Sequence, residues 1–102
     1  MAESPTVAMN EQTHRFEVSL DGETAFAEYR LLHDALVLPH TVTPPALEGR
    51  GVGSALAKAA LGYARLNGLK VKPLCPFIAG YIQKHPEWQD LVHKDLREKL
   101  GL

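Results

Sequence analysis

The segment LVLPHTVTPPALEGRGVGSALAKAALGY, residues 36–63, decides the fold of this chain. Its pattern predicts a strand over residues 35–42, a proline-bearing loop over 43–47, a glycine-rich turn over 48–53 and a helix over 54–67. The first turn of a helix has N–H groups without intrahelical partners, and the helix dipole favours negative charge there. Glycines let a ligand approach the main chain closely, because no Cβ atom stands in the way. A strand that leads through such a turn into a helix is therefore typical of a phosphate site.

The spacing of the glycines excludes two familiar phosphate motifs. A dinucleotide fingerprint needs G-x-G-x-x-G, but the third residue after Gly53 is Leu56. A P-loop needs Gly-Lys-Ser/Thr after four intervening residues, and the chain has no such run. What remains is the sequence Gly51-Val52-Gly53 after a strand, which predicts a main-chain phosphate site of another kind.

Length and composition predict one small domain, placed over residues 13–102, after a flexible N-terminal tail over residues 1–12. The chain has 102 residues, of which 45% are hydrophobic. A net charge of −1 without a run of Lys or Arg gives no electrostatic basis for binding nucleic acid or an anionic membrane. A single cysteine excludes an internal disulfide, and no apolar run approaches membrane-spanning length. Because the N-terminus also lacks a signal-peptide pattern, the sequence predicts a cytoplasmic protein.

Alternation of apolar and polar residues predicts the first half of the domain. Residues 13–20 and 23–32 alternate with period two and are predicted strands, joined at the hairpin signal Asp21-Gly22. Together with the strand over residues 35–42, they predict an antiparallel three-stranded meander.

The second half continues with a crossover and two further helices. The helix over residues 54–67 leads to a predicted fourth strand over 69–74, which returns parallel to the third strand by a right-handed connection. A short helix is predicted from Pro76 to Lys84, and a final helix over 87–100. The fold class is therefore α+β, a sheet with helices layered on it.

The glycine turn resembles the pyrophosphate-binding motif of the GNAT acetyltransferases, written Q/R-x-x-G-x-G/A, which cradles coenzyme A. Gly51 takes the G position of the motif and Gly53 its final G/A position. Glu48 takes the Gln/Arg position and so departs from the pattern. A carboxylate there would repel a pyrophosphate unless the side chain points away. The resemblance covers residues 13–100 and implies a minimal GNAT-like fold.

Other segments resemble a short, single-domain subfamily of GNAT-like N-acetyltransferases. They are His40-Thr41-x-x-Pro44, Cys75-Pro76-Phe77, Tyr81-Ile82 and Lys84-His85-Pro86-Glu87-Trp88. Ordinary GNAT enzymes carry an extra N-terminal helix pair that helps to wall the acceptor site. Here the first hairpin turn is only Asp21-Gly22, so we expect the acceptor to lie in an open groove.

The resemblance implies acetyl-CoA, or coenzyme A, as the cofactor. We expect backbone N–H groups at the start of the crossover helix to hold the pyrophosphate, and the third strand to hydrogen-bond the pantetheine arm. The cofactor-binding residues expected on this basis are Leu38, Thr41, Val42, Arg50, Gly51, Val52, Gly53 and Ser54.

Cys75 is the first candidate for catalysis. A thiolate at a helix N-terminus is stabilised by the helix dipole, and near acetyl-CoA it could take the acetyl group by thioester exchange. The alternative is that Cys75 is a small buried hydrophobic residue, since free cysteines are often buried. The resemblance implies the catalytic role.

His40 is the second candidate, because a histidine titrates near neutral pH and suits a general base for an amine acceptor or for the Cys75 thiol. The resemblance again implies a role in catalysis. The alternative is a strand histidine whose ring hydrogen-bonds a neighbour. Simple alternation places His40 on the same strand face as Leu36 and Leu38.

Three cations, Arg50, Lys58 and Lys84, could reach phosphates, and the alternative for each is a solvated charge. His85 precedes a proline and is predicted to make a structural hydrogen bond. No Cys/His or His/carboxylate spacing resembles a zinc site, so no metal is expected.

These observations lead to two hypotheses. The first is a monomeric, acetyl-CoA-dependent N-acetyltransferase that acts on a small-molecule or protein amine, either by direct attack or through acetyl-Cys75. The second is a non-catalytic module that binds coenzyme A or acyl-CoA. A scaffold without a ligand is disfavoured, because the glycines of the turn add unfolded-state entropy that folding must overcome.

Overall fold

The computed structural model describes residues 5–102 and shows a five-stranded sheet in the order β1-β2-β3-β4-β5. The strands are β1 (Ala8–Asn10), β2 (Arg15–Leu20), β3 (Glu23–Leu31), β4 (Ala35–Val42) and β5 (Lys70–Pro73). The α-helices are α1 (Val52–Leu66), α2 (Pro76–Lys84) and α3 (Lys94–Arg97), and 3-10 turns span Pro45–Leu47 and Pro86–Leu91.

The predicted topology is confirmed. Strands β2, β3 and β4 form an antiparallel meander, and α1 carries the chain back so that β5 pairs parallel to β4. The helix from Pro76 to Lys84 is also confirmed. The crossover helix begins at Val52, two residues before the predicted start, so that part of the glycine turn already belongs to the helix.

The N-terminal segment corrects one prediction. Residues 8–10 form β1 and pair antiparallel with β2, with Met9 opposite Phe16. The predicted flexible tail over residues 1–12 is therefore wrong for this part, and residues 1–4 lie outside the described residues. Three residues are too few to show a sequence period, so only the pairing with β2 defines the strand.

The C-terminal segment corrects a second prediction, since residues 87–100 do not form one helix. The 3-10 turn ends before Val92, which is extended and bridges Val71 in parallel. The N–H of His93 donates to the carbonyl of Val71 over 2.8 Å, and α3 begins only after it. The free edge of β5 takes this partner, which interrupts a helix that the apolar spacing alone favours.

The helices α1 and α2 pack on the same face of the sheet. The buried stripe of α1 is rich in alanine and meets the inward side chains of β2, β3 and β4. Ile78 and Ile82 of α2 enter the same core, beside Leu36 and Leu38. The starts of α1 and α2 lie together, since the Cβ position of Gly53 in α1 borders the Phe77 ring of α2. No helix within residues 5–102 has the length and apolar character needed to cross a bilayer.

A register shift in β4 changes which side chains face the helices. Glu28 pairs with His40 but Arg30 pairs with Val37, so two steps on β3 match three steps on β4. The extra residue falls at Leu38-Pro39, a bulge at which proline lacks an N–H for the ladder. Beyond the bulge the two faces of the strand are exchanged.

The face predicted for His40 is therefore wrong. Thr41 pairs with the buried Ala27 and so joins Leu36 and Leu38 on the helix-covered face. His40 pairs with Glu28 and lies exposed on the opposite face of the sheet.

Candidate functional site

The glycine turn ends in an uncapped helix N-terminus. Gly49 and Gly51 both have φ of 77°, a left-handed conformation that residues with a side chain rarely adopt. Gly51 is the N-cap of α1, and no side chain caps the helix there. The first helical bond runs from the Ala55 N–H to the Gly51 carbonyl over 3.0 Å. The N–H groups of residues 52–54 precede that bond and lack intrahelical acceptors, so they can bind an anion.

These N–H groups border a cavity of about 380 Å³, which we call the turn cavity. Its lining includes Gly51, Gly53 and Ser54 at the helix start, Thr43 from the preceding loop and the ring of Phe77 from α2. A glycine-lined cavity beside unpaired N–H groups has the size and polarity to accept a phosphate group.

The turn contains two charged residues, Arg50 and Glu48, and their side chains have different surroundings. Arg50 Nη1 donates to the Asp21 carboxylate over 2.6 Å, so its guanidinium is directed at the β2–β3 hairpin. Glu48 lines the turn cavity but is exposed to solvent. In this arrangement the anion-binding capacity of the turn comes from the main chain, with the Arg50 side chain engaged elsewhere.

Cys75 connects the end of β5 to β4. As the N-cap of α2, its N–H donates to the Leu38 carbonyl over 3.0 Å, and its carbonyl accepts from Ala79 N–H over 3.0 Å. The Cys75 Sγ lies 3.3 Å from Thr41 Oγ1 and donates to it. Only 5% of Cys75 is exposed. The bulge in β4 thus brings Leu38, Thr41 and Cys75 together at one point.

The structure does not bring His40 to this thiol. His40 is exposed on the other face of the sheet, where its ring centroid lies 6.5 Å from that of Phe26. Thr41, not His40, lies beside Cys75, because the bulge exchanges the two faces of β4.

The strands β4 and β5 separate beside the thiol. Their parallel pairing runs from Ala35↔Lys70 to Leu38↔Pro73 and ends there, whereas β4 continues to Val42. Beyond Leu38, β4 therefore has an edge that β5 does not cover. This uncovered edge runs from Cys75 toward the loop that leads into the glycine turn.

A second cavity, also about 380 Å³, lies along α2, and we call it the α2 cavity. Ser54 and Phe77 border both cavities, so the two are neighbours. Tyr81 stacks on His85 in this lining, with ring centroids 4.0 Å apart and planes 18° from parallel. His85 Nδ1 also hydrogen-bonds the Tyr81 carbonyl at 2.7 Å, which confirms the structural bond predicted for this histidine.

Phe77 is the site residue that the sequence analysis missed. Its side chain is 46% exposed, and a Cβ added to Gly53 would lie 2.7 Å from its Cζ. The available signal was its position directly after Pro76 at a helix start, one turn before Tyr81.

Comparison with known proteins defines the class. The profile of the family described as GCN5-related N-acetyl-transferase matches residues 15–91, which include the sheet from β2 to β5, α1 and α2. The chain belongs to this family.

Individual relatives agree with this assignment. Protein NATD1 of Gallus gallus is 34% identical over 90 residues, covering 85% of this chain and 82% of the relative. Protein NATD1 of Homo sapiens is 34% identical over 83 residues, covering 78% and 74%. The solution NMR structure of a GCN5-like N-acetyltransferase candidate from Staphylococcus aureus superposes with a TM-score of 0.69 at 27% identity, covering 90% of this chain and 91% of that chain.

Proposed function

We propose that this protein is an acetyl-CoA-dependent N-acetyltransferase that transfers an acetyl group to an amine acceptor. The observation that carries the proposal is the uncapped start of α1, whose N–H groups border the turn cavity within a GCN5-related fold. These donors fit a diphosphate, because Gly51 leaves the main chain accessible, with nothing within 4 Å of its Cβ position. The exposed Glu48 does not oppose this, since its carboxylate can point into solvent.

The uncovered edge of β4 is the proposed binding site for the pantetheine arm. Main-chain groups between Leu38 and Val42 offer an extended strand edge with which such an arm can hydrogen-bond. Cys75 lies at the Leu38 end of that edge, so an arm that enters from the glycine turn would bring its thioester toward the thiol.

The co-substrate supplies an activated acetyl group, and the chain offers two routes for its transfer. In the two-step route Cys75 Sγ attacks the acetyl carbonyl carbon, an Sγ–C bond forms, and the C–S bond to coenzyme A breaks. The thiol proton passes to the departing sulfur. An amine then attacks acetyl-Cys75: the C–N bond forms, the Sγ–C bond breaks, and the Cys75 sulfur regains one proton for the one that the amine loses. In the direct route the amine attacks the thioester itself: the C–N bond forms, the C–S bond to coenzyme A breaks, and the departing sulfur takes up one proton for the one that the amine loses.

His40 is proposed to accept the proton of the amine acceptor rather than that of the thiol. It is exposed on the sheet face opposite α1 and α2, so an acceptor that approaches from that face would meet its ring. In both routes the amine loses a proton, so His40 has the same role in each.

The second candidate function is a non-catalytic module that binds coenzyme A or acyl-CoA. Two observations favour it: Cys75 is buried, and α1 and α2 both cover one face of the sheet, which leaves His40 exposed on the other. The turn cavity and the β4 edge would serve such a module equally well.

Incubation with acetyl-CoA, followed by intact-protein and peptide mass spectrometry, tests the proposal. The two-step route predicts an acetyl adduct on Cys75 that is absent in Cys75→Ala and disappears when a reactive amine is added. The direct route predicts acetylated amine that forms equally in Cys75→Ala and slowly in His40→Ala. If neither an adduct nor acetylated amine forms across a panel of small-molecule and peptide amines, while coenzyme A still binds, the enzyme is contradicted and the binding module stands.

A further inference from the structure

The α2 cavity presents a row of side chains from one helix face. Phe77, Tyr81 and Lys84 follow each other at helical spacing and all line this cavity. Within this row, the Tyr81 ring stacks on His85, whose ring also hydrogen-bonds the Tyr81 carbonyl over 2.7 Å. Through Ser54 and Phe77 the row continues into the turn cavity.

The charges that line the two cavities are unequally placed. Among the lining residues, Lys84 is the one lysine or arginine, and Glu48 at the far side is the one carboxylate. Arg50 is held by Asp21. No carboxylate within residues 5–102 lies at ion-pair distance from Lys84. Its ammonium is therefore available to an anionic ligand group.

The chemistry of coenzyme A matches this arrangement. Its diphosphate joins the pantetheine arm to a nucleoside that carries a separate 3′-phosphate. If the diphosphate lies at the glycine turn and the arm follows β4, the nucleoside extends to the neighbouring space. The half-exposed ring of Phe77 offers that nucleoside an apolar surface, and Lys84 lies further along the same helix face.

We propose that the α2 cavity binds the 3′-phosphoadenosine end of coenzyme A, with the base on Phe77 and the 3′-phosphate paired with Lys84. This inference rests on the proposed function, because it needs the diphosphate at the glycine turn. It makes Lys84 the residue that discriminates coenzyme A from 3′-dephospho-coenzyme A.

Calorimetric titration of both compounds into three proteins tests the inference: wild type, Lys84→Gln and Lys58→Gln. Lys58 is an exposed lysine of α1 that lines neither cavity, so it controls for a change in net charge. We expect wild type and Lys58→Gln to bind coenzyme A about fivefold more tightly than the dephospho compound, because an ion pair exposed to solvent contributes only a small free energy. Lys84→Gln should bind both with the affinity that wild type has for the dephospho compound.

Three results would overturn the inference and leave coenzyme binding in place. They are equal affinity of wild type for the two compounds, an undiminished preference in Lys84→Gln, and equal losses for both compounds in a Lys84→Gln protein that melts at the wild-type temperature. Failure of wild type to bind either compound would instead remove the proposed function, and with it this inference.

Discussion

Gly53 is the residue at which the glycine turn meets α2. The family motif permits Gly or Ala at this position, but in this chain a Cβ there would lie 2.7 Å from Cζ of Phe77. That distance is closer than nonbonded carbons approach, so an alanine at position 53 requires the Phe77 ring to move. The ring is half exposed and can swing away, which moves it relative to both cavities.

We predict that Gly53→Ala weakens coenzyme A binding by about tenfold, because the displaced Phe77 ring disturbs the wall that the two cavities share. Gly62→Ala is the matched control. It lies in the same helix with nothing within 4 Å of its added Cβ, so it should raise stability by up to about 1 kcal/mol and leave binding unchanged. Calorimetry and thermal melts give the two readouts. Equal coenzyme A affinity in Gly53→Ala and wild type would contradict this account of the Phe77 contact.

At the scale of elements, Arg65 near the end of α1 ties the 3-10 turn Pro86–Leu91 to the helix. Its guanidinium donates to both carboxylate oxygens of Asp90 over 2.9 and 3.1 Å and to the carbonyl of Glu87 over 2.7 Å. The hydrogen bond from Arg65 lowers the pKa of Asp90 below its usual range. Since this depression exists only in the folded state, the carboxylate contributes stability above its unfolded pKa, and that contribution is lost as pH falls through the folded value.

The predicted consequence is a small, pH-dependent effect of Asp90→Asn. At pH 6 the variant should melt slightly below wild type, and the difference should shrink below about pH 4, where an unperturbed aspartate becomes protonated. Glu98→Gln, an exposed carboxylate beside α3, serves as the control and should follow wild type throughout. A difference between Asp90→Asn and wild type that persists unchanged at pH 2.5 would show that the carboxylate charge is not its cause.

The elements also show what the sequence could predict. Period-two alternation located β2 and β3, and the helical stripe located α1, because each element is long enough to repeat its pattern. The sequence did not predict the strand β1 or the extended conformation of Val92, since both are defined by strand partners rather than by a local pattern. The bulge at Leu38-Pro39 was not predicted either, because one extra residue reverses the alternation without changing the composition. The face of His40 was therefore predicted wrongly.

At the site, the main-chain part was predictable and the side-chain part was not. The glycine spacing located the turn, since positive φ at Gly49 and Gly51 is a local property of the chain. The approach of Thr41 to Cys75 and of Phe77 to Gly53 depends on how α2 packs beside β4 and α1. Tertiary packing of this kind leaves no periodic trace in the sequence.

For the whole molecule, the sheet separates the proposed co-substrate cavities and the thiol from the proposed general base, His40. The helices α1 and α2 lie on one face of the sheet, together with both cavities and the thiol. His40 lies on the opposite face. In the proposed function the diphosphate therefore lies on the helix side of the sheet and the arm along the edge of β4, and the acceptor reaches the acetyl group from the face of His40.

The proposed function depends on a diphosphate bound at the start of α1, and an amide chemical-shift titration with coenzyme A tests that claim most directly. We predict saturable shifts of the signals from residues 49–56, with signals of α3 unmoved as an internal control and a higher melting temperature at saturation. Unchanged signals over residues 49–56 at saturating coenzyme A, together with an unchanged melting temperature, would contradict the account.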